Sequence, residues 1–164
     1  MTCRLIGRPI ETAEMSATVP TLTQGVTPDA IEGNKALKAV IVALHIENPV
    51  MTALSMELWS GSATAPTKLI AASTNSKTLA QLLGNHPTDD YAFGWFYFNF
   101  ANIPLRAGAT YWIAMRCTGY TYSANQHIGW KHAYPDQPAR SGVTLTAVKG
   151  AEHPLEVNFI TAPL

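Results

Sequence analysis

The stretch Tyr91–Cys117, YAFGWFYFNFANIPLRAGATYWIAMRC, is the densest apolar run in the chain and constrains its fold more than any other segment. A helix of this composition would be apolar nearly all the way round, whereas aromatic and β-branched side chains suit a pleated, half-buried strand. Alternation at period two puts Trp95, Tyr97 and Asn99 on one face of a first strand and Phe96, Phe98 and Phe100 on the other. In a second strand Tyr111, Ile113, Met115 and Cys117 share a face that reads as core, with Trp112, Ala114 and Arg116 opposite. Pro104 and the Ala107-Gly108 pair break the run. The segment is therefore predicted to be two neighbouring strands of a β-sandwich joined by a tight turn, with a positive φ at Gly108. Gly61, in a loop of small residues, is expected to tolerate a side chain more readily.

The same logic extends along the chain. Val40, Val42, Leu44 and Ile46 alternate with Ala39, Ile41, Ala43 and His45 before Asn48-Pro49 stops the run, and Leu54, Met56 and Leu58 alternate with Ser55, Glu57 and Trp59. Their short connection suggests a hairpin, and Lys68 to Ser73 can return beside its predecessor. Leu79, Leu82 and Leu83, followed by Gly84, carry the chain's helical spacing and predict a short helical turn near 77–84. Further strands are expected around His127–Lys131, Val143–Val148 and Leu155–Thr161, with Leu155, Val157 and Phe159 facing inward. The prediction is an all-β fold, a two-sheet antiparallel β-sandwich of jelly-roll type with about eight strands. Pro9, Pro20, Gly25, Pro28 and Gly33 give the first 35 residues a different character. Residues 1–35 read as an N-terminal arm or edge strand, or as the first strand of the sandwich, and 36–164 as the sandwich domain.

Charged residues make up 13% of the 164 residues and the formal net charge is zero, where an ordinary soluble domain has roughly 25% charged residues. Such a surface repels its own copies weakly and favours association. It also argues against nucleic-acid binding, which needs a concentrated excess of Lys and Arg. The start MTCRLIGRPIETAEM lacks an apolar signal-peptide region, and no stretch offers the uninterrupted apolar run of a transmembrane helix. Cys3 and Cys117 are a poor disulfide framework, and Cys117 reads as a small buried hydrophobe.

Several pieces in order, MELWSGS, TLAQLL, WFYFNF, IPLRAGATYWIAM and HIGWK, together resemble a β-sandwich module of tailed-bacteriophage virion proteins that also occurs in some bacterial surface proteins. The residues carrying the likeness are Leu58 and Trp59, then Trp95, Phe96 and Phe98, then Leu105, Gly108, Thr110, Tyr111 and Trp112, across roughly residues 36 to 135. Such modules serve in fibres, baseplates and head decoration, so the resemblance implies a virion component made in the host cytoplasm, with the major capsid protein or a tail or baseplate protein as partner. It transfers no catalytic motif. The chain lacks a long repetitive stalk, which favours a compact capsid decoration (cement) or adaptor subunit over a whole fibre.

Candidate chemistry is sparse. Of five histidines, His127 and His132 are the closest pair, but a five-residue offset on a strand puts them on opposite faces, and no recognised metal-ligand spacing accompanies them. Asp89 and Asp90 beside His86 read as a solvated acidic turn, and no Gly-x-Ser-x-Gly is present. No catalytic residue, metal or cofactor is expected. The loop aromatics Tyr120, Tyr122, Trp130 and Tyr134, with Asn125, Gln126 and Asp136 nearby, could stack a sugar ring, cover the open end of the core, or fill a subunit interface. The sequence thus predicts a non-enzymatic structural protein, a homo-oligomer with a trimer favoured, and as its alternative a carbohydrate-binding, receptor-recognition module.

Overall fold

The computed structural model describes residues 12–15, 21–29, 34–84, 91–123, 125–133, 143–151 and 154–164. They form β1 (Thr12–Glu14), β2 (Thr23–Pro28), β3 (Lys35–Glu47), β4 (Ala53–Gly61), β5 (Pro66–Ala72), α1 (Leu79–Leu83), β6 (Tyr91–Pro104), β7 (Tyr111–Thr118), β8 (His127–Lys131), β9 (Val143–Lys149) and β10 (Val157–Pro163). All pairings are antiparallel. One sheet runs β1-β8-β3-β6 and the other β2-β7-β4-β5, which is the strand order of a jelly roll. Two strands extend it: β9 pairs with the free edge of β2, and β10 shares the β8 side of β3.

The sheets pack through the residues their alternation assigns. Val40, Val42, Leu44 and Ile46 of β3 and Phe98 of β6 face Leu54, Met56 and Leu58 of β4 and Ile113 and Met115 of β7, all fully buried. Leu37 is buried too, although it is out of phase with Val40. The cause is a bulge, because the registers of β6 and β10 both skip Lys38. One extra residue re-aims everything before it. The helix lies where Leu79, Leu82 and Leu83 placed it. Thr78 and Gln81 close a capping box, Gly84 ends it at φ 58°, and Leu82 is buried.

Two connections differ from expectation. β6 and β7 are not neighbours: β6 pairs with β3 in the first sheet, and β7 pairs with β4 and β2 in the second. Likewise β3 and β4 lie in different sheets, whereas β4 and β5 do pair. The turn after Pro104 is a corner between sheets. Leu105 is buried and its N–H donates to Lys35 O, while the Gly108 N–H donates to Pro28 O and the Arg106 N–H to Tyr111 Oη. Both sheets bury one face, so alternation is the same whether the next strand pairs or crosses. The buried leucine inside the turn is the mark of the corner.

Within the first 35 residues the two described strands belong to the sheets: β1 is an edge strand of the first, and β2 is interior to the second. β2 lies inside the second sheet, between β7 and β9, and Leu22 and Val26 are fully buried. Gln24 is buried as well. Its Oε1 accepts the Leu155 N–H at 2.6 Å and its Nε2 donates to Gly25 O. A buried amide is tolerated when it is hydrogen-bonded, and this one ties β2 to the segment leading into β10. The weak alternation that suggested an arm comes from Thr23, Gln24 and Gly25 occupying interior positions. Deleting residues 2–30 should therefore abolish the cooperative unfolding transition rather than leave a folded monomer. A truncated chain that still melts cooperatively would exclude this role for β2.

The two glycines also exchange roles in part. Gly108 has φ 71°, with open space around a prospective Cβ. At Gly61 a Cβ would run into the Ala65 carbonyl oxygen and lie 2.8 Å from Pro66 Cα and from Trp112 Cδ1. Gly108→Val is expected to cost about 1–3 kcal/mol through backbone strain, and Gly61→Ala about 1–3 kcal/mol through overpacking against backbone. Urea midpoints at matched m-values check the pair. A near-neutral Gly61→Ala would mean that the Ser62–Ala65 turn yields freely.

Candidate functional site

The three loop aromatics among the described residues, Tyr120, Tyr122 and Trp130, do not assemble into one surface. β8 alternates so that Ile128 and Trp130 point into the sandwich while His127, Gly129 and Lys131 lie on its outer face. Trp130 is fully buried, and its Nε1–H donates to Glu156 O at 2.7 Å. Tyr120 is a fastener: its hydroxyl donates to Met15 O at 2.9 Å and accepts the Ile128 N–H at 3.2 Å. Tyr122 is half-buried beside His127, with ring centroids 6.2 Å apart. Tyr134 and Asp136 lie outside the described residues, as do Asp89, Asp90 and His86. Trp130 sits on the strand expected at His127–Lys131, and of the roles considered for it, covering the core is the one its burial fits.

The exposed aromatics are on β6. Trp95 and Tyr97 are 46% and 51% exposed on the outer face of the first sheet, with Asn99 next in line and Ile160 of β10 37% exposed on the same sheet. Residues two apart on a strand stand roughly 6.6 Å apart, so the rings form a continuous apolar strip. Ala43, opposite Trp95, is fully buried although it faces outward. Lys131 reaches across it, its Nζ 5.9 Å from the Trp95 ring centroid and 2.7 Å from Glu156 Oε2.

The backbone edge of β6 is closed beside this strip. Asn75 Nδ2 donates to Tyr97 O, the Asn99 N–H donates to Asn75 Oδ1 at 2.6 Å, and the Thr74 N–H donates to Asn99 O at 2.7 Å. One asparagine side chain thus stands in for a neighbouring strand, which prevents edge-to-edge pairing there. At residues 97–99 a partner meets the face of β6, not its ladder.

On the outer face of the second sheet, Trp59 and Trp112 lie opposite each other. Neither is a free surface ring. Trp112 is fully buried, its Nε1–H bonded to Ser62 O, and Trp59 Nε1–H donates to Glu57 Oε2 at 3.0 Å. Cys117 is half-buried, and burial pushes its thiol up from 9.0 to about 11. At neutral pH it is a thiol and a poor nucleophile.

Strand pairing makes one constellation that sequence reading missed. His45 and Glu47 share the outer face of β3, and Glu47 stands opposite His127 of β8. His127 and His132 were weighed as a pair, but the neighbour of His127 is His45, with ring centroids 5.5 Å apart at 79°. The available signal was His-x-Glu on one strand, which puts both residues on one face; the register against β8 could not be read. No protein-family model matches the chain, and no curated protein or solved structure matches it.

Trp130→Ala should cost about 3–5 kcal/mol, the range for a buried large aromatic, whereas Tyr122→Ala should cost clearly less. Urea unfolding of the two variants checks this. Equal small losses would return Trp130 to the surface.

Proposed function

We propose that the chain is a non-enzymatic structural subunit of a tailed-phage virion, a capsid decoration or adaptor protein that self-associates through the outer face of its first sheet. The observation that carries this reading is the exposed Trp95–Tyr97 strip beside a capped strand edge. Tyr and Trp are enriched where protein meets protein, and each aromatic ring offers about 150–250 Å² to bury. Zero net charge with 13% charged residues removes the repulsion that would keep copies apart. The jelly roll suits such a particle component, since the same architecture serves capsids and lectins, and the likeness across residues 36 to 135 points to tailed phages. No helix among the described residues is long and apolar enough to cross a membrane.

The second copy is the primary occupant, in a symmetric oligomer with a trimer favoured, and the assembled face packs against the major capsid or a tail or baseplate protein. A second reading, glycan recognition, is favoured by the same strip, because two exposed rings on one strand face with the Asn99 amide alongside can stack and hydrogen-bond a sugar. It moves the sugar platform from Tyr122 and Trp130 to Trp95 and Tyr97.

Light scattering behind size exclusion separates the readings. The wild type should run as an oligomer, and the double variant Trp95→Ser, Tyr97→Ser as a monomer with its stability within about 0.5 kcal/mol of wild type, as for other exposed positions. A wild type that stays monomeric and binds a glycan array in a Trp95-dependent way would replace association with sugar recognition. Mass spectrometry of purified particles tests the virion assignment itself.

A further inference from the structure

The geometry points to a divalent transition-metal site of zinc type formed by His45, Glu47 and His127 on the outer face of the first sheet. One donor atom from each of the three residues lies within 4.8 Å of the other two. His127 Nε2 is 3.5 Å from Glu47 Oε2. In a tetrahedral site with metal–nitrogen and metal–oxygen bonds near 2.0–2.2 Å, neighbouring donors stand roughly 3.3–3.6 Å apart. The His127–Glu47 pair already has that spacing, and small side-chain rotations bring in His45.

Three features make this more than a chance surface cluster. His45 and Glu47 are two apart on β3, hence on one face, and the register sets His127 directly opposite Glu47. Opposite His45 the β8 residue is Gly129, so no side chain stands between the two imidazoles. The His127 side chain is only 6% exposed, against 35% for Glu47, and His45 Nε2 is shielded from solvent. The nitrogen donors are thus held on the protein side and the carboxylate on the solvent side, which leaves a coordination position open to water.

The donor set selects the cation. Two imidazoles with one carboxylate suit zinc and its first-row neighbours, whereas calcium and magnesium take oxygen ligands. The site joins the end of β3 to the start of β8, so a bound ion clips the two strands together and stabilises the folded chain by mass action. This inference does not depend on the association proposed above. The bland counterpart is a metal-independent contact between His127 and Glu47.

The test uses the full chain after dialysis against EDTA. Isothermal titration with ZnCl2 should give one ion per chain, and thermal melts should rise by several degrees in ZnCl2, revert with EDTA, and stay put in CaCl2 or MgCl2. Co²⁺ in place of zinc should give visible d–d absorption. His45→Gln and Glu47→Gln should each weaken zinc binding by at least about tenfold, a floor set by the ~10–100-fold losses seen when even the supporting partners of metal ligands are removed, while His86→Gln should not. Glu47→Gln is the safer variant for folding, since its side chain is 35% exposed against 6% for His127 and the amide keeps its shape. No zinc-dependent shift in the wild type, binding that survives undiminished in both variants, or an equal response to calcium would each overturn the site.

Discussion

The fold depends on β3 being hydrogen-bonded along both of its edges. On one side β6 runs beside it from Ala36 to Glu47, and on the other the ladder is divided, with β10 taking residues 35–42 and β8 taking residues 44–47. No single partner could fill the second edge, because β8 is five residues long. The stitching between the two short strands is correspondingly dense: Glu156 N–H to Lys131 O, Ala133 N–H to Pro154 O, Trp130 Nε1–H to Glu156 O, and the Lys131–Glu156 ion pair. A partly buried polar network of this kind holds one arrangement against its competitors.

Both surface features of interest follow from that divided edge. Where β8 ends, Lys131 folds over Ala43 toward Trp95 and buries an outward-facing alanine. Where β8 begins, His127 meets Glu47 and His45. The outer face of the first sheet thus carries an apolar strip at one end of β3's partners and a nitrogen-rich corner at the other. The second sheet is different. Its own outward tryptophans are engaged, Trp112 beneath the Ser62–Ala65 turn and Trp59 with Glu57.

What could be read from residue order was local. Alternation separated the two faces of β3 and β6 and picked out the inward residues Leu54, Met56 and Leu58 of β4 and Ile113 and Met115 of β7, and leucine spacing with Gly84 located α1. What could not be read was pairing. A strand with one buried face looks the same whether its successor lies beside it or across the core, so the β6–β7 and β3–β4 connections were taken for hairpins. For the short strand His127–Lys131 no inward face could be chosen from five residues, and one residue of phase separates core from surface, so Trp130 stood open between core and surface. The Gly61 contact and the His45–Glu47–His127 corner each join residues distant in sequence, and no short-range pattern encodes them. The candidate site was the least legible part because it is a product of register.

The division of β3's second edge also sets an order of events during synthesis. The residues that complete the ladder along 35–42 lie about 120 positions downstream, and such non-local pairing is slow to form. At a ribosomal rate of ~5–20 residues per second that interval lasts on the order of ten seconds. Throughout it, half of the most apolar strand of the first sheet presents an unsatisfied edge to its surroundings. Nascent copies on one message would meet through that edge before any of them could meet through the finished face.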